Sequence, residues 1–208
     1  MKMRIPLNNK FNILIGIYLE KRGLVSMPGI SDKQVAIQKA KDLYNQLFDE
    51  GSAILFDEYA TNLDRVLEYL KLEAYEVDIT KVFENQPELI TGREISGFLL
   101  KDGHENTIFI DKNQSIYRKR FTIAHEIGHY VMDHLQSENL SIAFRDDLSA
   151  TGVDCEERAA NAFAAELLMP SGLVEFVYEQ TGSIIKTAAT FAVSSSAIKF
   201  RLKNLGVI

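Results

Sequence analysis

The sequence predicts an α+β chain: a small antiparallel or mixed sheet packed on an active-site helix, with further helices N- and C-terminal to it. Three observations predict this. Apolar residues recur at helical spacing in long segments near both ends. Short β-type runs cluster between residues 75 and 111. No internal repeat or low-complexity tract interrupts the pattern.

The 208 residues suit one domain with decoration, or two small ones. With 46% hydrophobic and 25% charged residues, the chain can bury a real core. The apolar run Phe11–Leu19 contains Asn12 and is about half the roughly 20 residues that a membrane span needs. Lys2 and Arg4 precede it, but no small-residue cleavage pattern follows before Glu20-Lys21-Arg22, so neither a span nor a secretory leader is expected. The single cysteine, Cys155, excludes an internal disulfide framework and fits a reducing cytoplasm. A net charge of −6 argues against a surface built throughout for nucleic acid, though not against a local basic patch.

Pro28-Gly29 marks a turn, and Ser31-Asp32 offers a helix start. Val35, Ile37, Ala40, Leu43, Tyr44, Leu47 and Phe48 then recur at helical spacing up to Gly51, a good stop. A second helix starts at Thr61 or Asn62 and buries Leu63, Val66, Leu67 and Leu70. Tyr75, Val77 and Ile79 alternate with Glu76 and Asp78 as a strand. Ile95–Leu100 and Thr107–Asp111 are β-type runs joined through Asp102-Gly103, the signature of a hairpin, with His104 solvated in its turn. The next helix runs from near Ser115 to about Asp133 and buries Ile116, Ile123, Ile127 and Val131. Gly128 inside it costs about 1 kcal/mol relative to alanine, which suggests that something packs close there. Residues 134–153 read as a long loop. A strong helix follows from Asp154, its N-cap, to Met169, where Pro170 ends it, and two shorter helices close the chain.

The central helix carries His125-Glu126-Ile127-Gly128-His129, an H-E-x-x-H pattern. Residues four apart on a helix share a face, so both imidazoles can point at one ion. Glu126 can reach a water on that ion without being a natural third ligand. Two nitrogen ligands, a general base and an open position are what a zinc hydrolase requires. Only four histidines occur in the chain, and two fall at this spacing. His134 is off the ligand face. Met132 and Leu135 stand where a metzincin needs glycine and histidine, which excludes that subclass.

A catalytic zinc takes a third protein ligand. On the following helix Glu157 shares a face with Asn161, and that face continues into Ala164 and Leu168. A carboxylate on such a stripe is costly to desolvate unless it meets a cation. Asn161 can then orient a ligand histidine through its second nitrogen. Glu156 remains the alternative ligand, and either glutamate also complements the helix dipole. Glu166 lies on the opposite face as a structural or surface carboxylate. Cys155 is set aside as unrelated to the site.

Two blocks, Arg120-Phe121-Thr122-Ile123-Ala124-His125-Glu126-Ile127-Gly128-His129 and Asn161-Ala162-Phe163-Ala164-Ala165-Glu166-Leu167-Leu168-Met169-Pro170, resemble the ImmA/IrrE family of zinc metallopeptidases. The resemblance implies a gluzincin-type endopeptidase with Zn2+ on His125, His129 and Glu157 and with Glu126 catalytic. It implies a bacterial or phage setting and, as protein substrate, a helix-turn-helix transcriptional repressor of a phage, mobile element or stress operon. The family's E-x-E-A-N is here Glu157-Arg158-Ala159-Ala160-Asn161, with alanine for the second glutamate. Tyr130 and Tyr178 are candidate oxyanion donors by type, and strand Thr107–Asp111 is expected to bind substrate by strand addition.

The expected organisation is an N-terminal helical extension over 1–50, a zinc metallopeptidase core over 51–182, and a C-terminal helical segment over 183–208 that packs on the core. That last segment resembles a helix-turn-helix with its turn near Ala192-Val193-Ser194. It holds Lys186, Lys199, Arg201 and Lys203 and no acid. The alternative function is therefore a zinc-containing DNA-binding or partner-binding regulator without peptidase activity. Four charges neutralise few phosphates, so nucleic acid is the weaker expectation.

Overall fold

The computed structural model describes residues 32–48, 59–85, 94–101, 106–132, 141–145 and 155–208. Helix α1 spans Asp32–Phe48, α2 Leu63–Leu70, β1 Leu72–Val77 and α3 Ile79–Val82. Strands β2 (Glu94–Lys101) and β3 (Asn106–Asp111) precede α4 (Ile116–Val131). Strand β4 (Ser141–Arg145) is followed by α5 (Cys155–Leu168), α6 (Ser171–Thr181), α7 (Ile184–Thr190) and α8 (Ser195–Asn204). No helix among the described residues is long and apolar enough to cross a membrane.

The sheet is mixed, in the order β1-β3-β2-β4. Strand β1 runs parallel to β3, while β2 is antiparallel to both β3 and β4. Successive side chains of a strand point to opposite faces. Leu99, Ile108 and Ile110 thus enter the main core, whereas Phe98 and Phe109 join a second cluster with Ile79, Val82 and Phe83. Ile95 shares the Phe98 side because a bulge between Ile95 and Gly97 reverses the alternation.

Helix α4 lies across the main face. A Cβ on Gly97 would sit 2.5 Å from both the Phe109 carbonyl oxygen and Thr122 Cγ2, so only glycine allows this approach. Helix α5 packs on α4, and α1 packs on α5. Ala36, Ala40, Leu43 and Leu47 of α1 share one buried cluster with Ala159, Phe163 and Ala164 of α5. Ala188, Phe191, Val193, Ile198 and Leu202 place α7 and α8 in that same cluster.

Several elements differ from expectation. The first strand starts at Leu72, directly after Lys71 ends α2 with φ 56, and it stops at Val77. Ile79 instead opens α3, where Ile79 and Val82 turn together into the second cluster. Ile116 is 64% exposed, because burial on α4 begins only at Thr122. Residues 141–145, expected in a loop, form an edge strand against β2; the short alternation of Ile142 and Phe144 is submerged in a polar stretch. Three helices close the chain rather than two, with Gly182 separating α6 from α7. Strand β3 is flanked on both sides, by β1 and β2, so its backbone cannot take an added strand. Gly51, Asp102-Gly103, His104, His134 and Asp154 lie outside the described residues.

Candidate metal centre

Ser115 caps α4 by accepting a hydrogen bond from the Arg118 amide at 3.3 Å. Ten and fourteen residues on, His125 and His129 fall one turn apart and are 7% and 3% exposed. Their Nε2 atoms lie 3.0 Å from each other. Helix α5 brings Glu157 to the pair: its Oε2 is 3.3 Å from His125 Nε2, and its Oε1 is 3.2 Å from His129 Nε2. Asn161, one turn further along α5, places Oδ1 3.0 Å from His125 Nδ1. Glu156 is exposed, so the phase of α5 selects Glu157.

Gly128 makes this meeting of helices close. A Cβ there would lie 3.1 Å from Ala160 Cα, 3.2 Å from the Ala160 carbonyl oxygen and 3.2 Å from Phe163 Cβ. The contact expected at Gly128 is therefore the backbone of α5 at Ala160, next to Asn161 and about one turn from Glu157. Ala159, where the family has a second glutamate, is fully buried in the main core.

Charge in this cluster is unbalanced. Burial disfavours the charged form of His125, but the hydrogen bond to Glu157 and the charges of Glu126 and Glu157 outweigh it, so its pKa is raised. Burial likewise pushes Glu157 up, while hydrogen bonds to His125 and His129 hold its carboxyl well below the usual range. Glu126 is 0% exposed, and among the described residues neither carboxylate oxygen has a hydrogen-bond partner. Burial raises its pKa to about 8; the His125 charge opposes this and the Glu157 charge adds to it. The Leu99 amide on β2 exerts a further downward pull, without reaching hydrogen-bond geometry.

The donor set fits a divalent cation. If His125 Nδ1–H donates to Asn161, the Nε2 of the neutral ring is a bare lone pair. That lone pair faces a second imidazole and a carboxylate, all acceptors unless protons or a cation lie between them. One ligand atom from each of the three residues falls within 4.8 Å of the others. The close separations of 3.0, 3.2 and 3.3 Å match the edge of a tetrahedron with metal–ligand bonds of about 2.0 Å, which is about 3.3 Å. Two nitrogens and one carboxylate are a zinc-type set with one corner open.

None of the other sequence candidates is among the three converging donors. Tyr130 and Tyr178 are half-buried against the main core. Cys155, of intermediate exposure, stands at the start of α5 and forms no disulfide. Glu166 is buried: its Oε1 accepts from the Ser171 amide and hydroxyl, each at 3.1 Å, and its Oε2 pairs with Arg201. Arg201 belongs to that buried pair and also donates from Nε to the Met169 carbonyl at 3.0 Å.

Thr61 went unrecognised in the sequence. It is buried between α4 and α5, but before Asn62 it reads only as a helix start. No local pattern distinguishes it, because its partners are 59 and 106 residues away.

The profile of the IrrE N-terminal-like domain, a peptidase family, matches residues 80–203, from within α3 to within α8. Metallopeptidase ImmA of Bacillus subtilis (strain 168) is 28% identical over 139 residues, covering 64% of this chain and 76% of that protein. The chain belongs to the ImmA/IrrE family of metallopeptidases.

Proposed function

We propose that this family member is a zinc-dependent endopeptidase of the cytoplasm that cleaves a protein partner, a helix-turn-helix transcriptional repressor of a phage, mobile element or stress operon. One observation carries the chemistry: His125, His129 and Glu157 converge beside the buried, partnerless carboxylate of Glu126. The repressor as substrate rests on the family resemblance.

His125, His129 and Glu157 would hold the ion. Zinc so held lowers the pKa of a bound water to about 7 and polarises a peptide carbonyl. Glu126 takes the proton of the attacking water on a carboxylate oxygen and returns it to the leaving amine. Its burial removes competing hydrogen-bond donors from both oxygens. Asn161 holds the His125 ring so that Nε2, not Nδ1, faces the cluster.

The test incubates the zinc-loaded chain with a candidate repressor and reads the fragments by mass spectrometry. Cleavage is expected with zinc and absent with chelator. Glu126→Gln should keep stoichiometric zinc while the rate falls about 10²–10⁴-fold. Wild-type cleavage by that variant would sink the mechanism, and stoichiometric zinc in His125→Ala would sink the ligand assignment.

A second reading, a DNA-binding regulator, has one observation in its favour. The exposed side of α8 presents Ser195, Ser196, Lys199, Phe200 and Lys203, with no acid from residue 183 onward. Arg201 does not add to that face, since it is buried against Glu166. Three lysines, Lys186, Lys199 and Lys203, then remain for phosphate contacts. Sequence-specific binding that weakens steeply with salt would favour this reading over the peptidase.

A further inference from the structure

We infer that Thr61 is a positioning residue for the metal centre, tying together the two helices that supply its donors. The inference rests on the metallopeptidase reading. Helix α4 carries His125 and His129, and α5 carries Glu157 and Asn161. The chain joins them only through residues 132–154, so packing must set their relative placement.

One tie is the close contact of Gly128 with Ala160 and Phe163. Thr61 makes another, away from Gly128. Its hydroxyl donates to the Leu167 carbonyl of α5 at 2.7 Å, and its own carbonyl accepts from Arg120 Nη2 of α4 at 2.8 Å. Both bonds answer a local need. The last carbonyls of a helix lack intrahelical donors. The Ser171 amide, which would otherwise serve Leu167, donates instead to Glu166 Oε1 at 3.1 Å. Arg120 has its Nε buried without a partner, so the bond from Nη2 offsets part of the cost of burying the guanidinium.

The two ties lie at different heights. From Gly128 back to Arg120 is about 12 Å along α4, and from Ala160 on to Leu167 is about 10 Å along α5. The residue order is reversed between the helices, so they cross antiparallel. The Gly128 contact and the His125–Asn161 bond both lie near the cluster, so a tie about 11 Å from Gly128 is placed to help fix the angle between the helices. Glu157 lies about 4–5 Å beyond the Gly128 contact on the other side. A slip of about 1 Å at Leu167 would therefore swing Glu157 by about 0.4 Å, which exceeds the roughly 0.2 Å tolerance of a metal–ligand distance.

The experiment measures zinc affinity of the full chain by competition with a chromogenic chelator, and the electronic spectrum of the cobalt(II)-loaded protein. Thr61→Val keeps the volume and removes the donor. It is expected to bind zinc about 10-fold more weakly, at the lower edge of losses from outer supports, and to shift the cobalt bands. Thr61→Ser keeps the hydroxyl and should match the wild type in both. A merely structural role would lower Tm and leave the cobalt spectrum unchanged. Wild-type affinity and spectrum in Thr61→Val would overturn the inference, as would an equal loss in Thr61→Ser. If Thr61→Val does not fold, Arg120→Lys removes Nη2 while keeping the charge, and unchanged values there overturn it equally. A wild-type chain that takes up no zinc overturns the metallopeptidase reading and this inference together. Zinc uptake that is indifferent to Thr61→Val overturns this inference alone.

Discussion

Helix α5 carries two buried polar clusters, and they are built on opposite plans. Near its C-terminal end, Glu166 receives the Ser171 amide, the Ser171 hydroxyl and the Arg201 guanidinium. Arg201 in turn donates to the Met169 carbonyl. No buried side-chain atom of that cluster lacks a hydrogen-bond partner among the described residues. Nearer the N-terminus, Glu157 meets two imidazoles whose Nε2 atoms also face each other, and neither oxygen of Glu126 makes a hydrogen bond among the described residues. A closed network holds helices together; an open one has free valence for a cation and a proton. Burial alone does not distinguish the two, because Glu166 and Glu126 are both almost completely buried.

The largest effect should come from opening the closed cluster. Arg201→Ala leaves the buried Glu166 without its cation, with only the Ser171 donors on Oε1, and should cost about 3–5 kcal/mol. Equilibrium denaturation of the full chain measures it, and adding Glu166→Gln should recover part of the loss. A cost below about 1 kcal/mol would mean that the pair behaves like a surface bridge.

Loosening the open cluster comes next. Asn161→Ala removes the partner of His125 Nδ1 and should weaken zinc binding about 10–100-fold, while the chelator-treated protein keeps its Tm. Unchanged affinity would show that the ring is oriented by packing alone.

The smallest effect tests the contact between the ligand helices. Gly128→Ala gains about 1 kcal/mol of helix propensity, set against about 1–3 kcal/mol of overpacking. The groups in the way are the Ala160 Cα and carbonyl oxygen, which cannot rotate aside. A net loss of about 1 kcal/mol is expected, read as a fall in Tm of about 2–4 °C. A rise in Tm would show that α5 yields.

Legibility in the sequence followed the range of the interactions. The shared face of His125 and His129, the neighbouring Glu126 and the phase that prefers Glu157 to Glu156 all follow from helical periodicity within α4 and α5. Gly128 announced a close neighbour through its cost to the helix. Strand β4 escaped notice because an edge strand needs few apolar residues, and its partner β2 lies about 40 residues earlier. One of the three closing helices goes uncounted in the sequence because Pro170, which reads as the end of α5, also sits at the N-cap of α6. Burial of Arg201 was invisible, since a lysine-rich stretch without acids reads as solvated. Its acid stands 35 residues earlier, on another helix.

The sequence by itself determined the chemistry on offer: two histidines and a glutamate at one helical spacing, a second helix of matching phase, and an α+β frame to carry them. These depend on rotations about one helix axis, which the chain specifies residue by residue. Only the tertiary structure decided which groups meet. It set Glu157 against both imidazoles, left Glu126 without a partner, closed Glu166 with Arg201, and placed Thr61 between the ligand helices. Those contacts join residues 28 to 106 positions apart, and their geometry comes from how helices and sheet pack together rather than from any local preference.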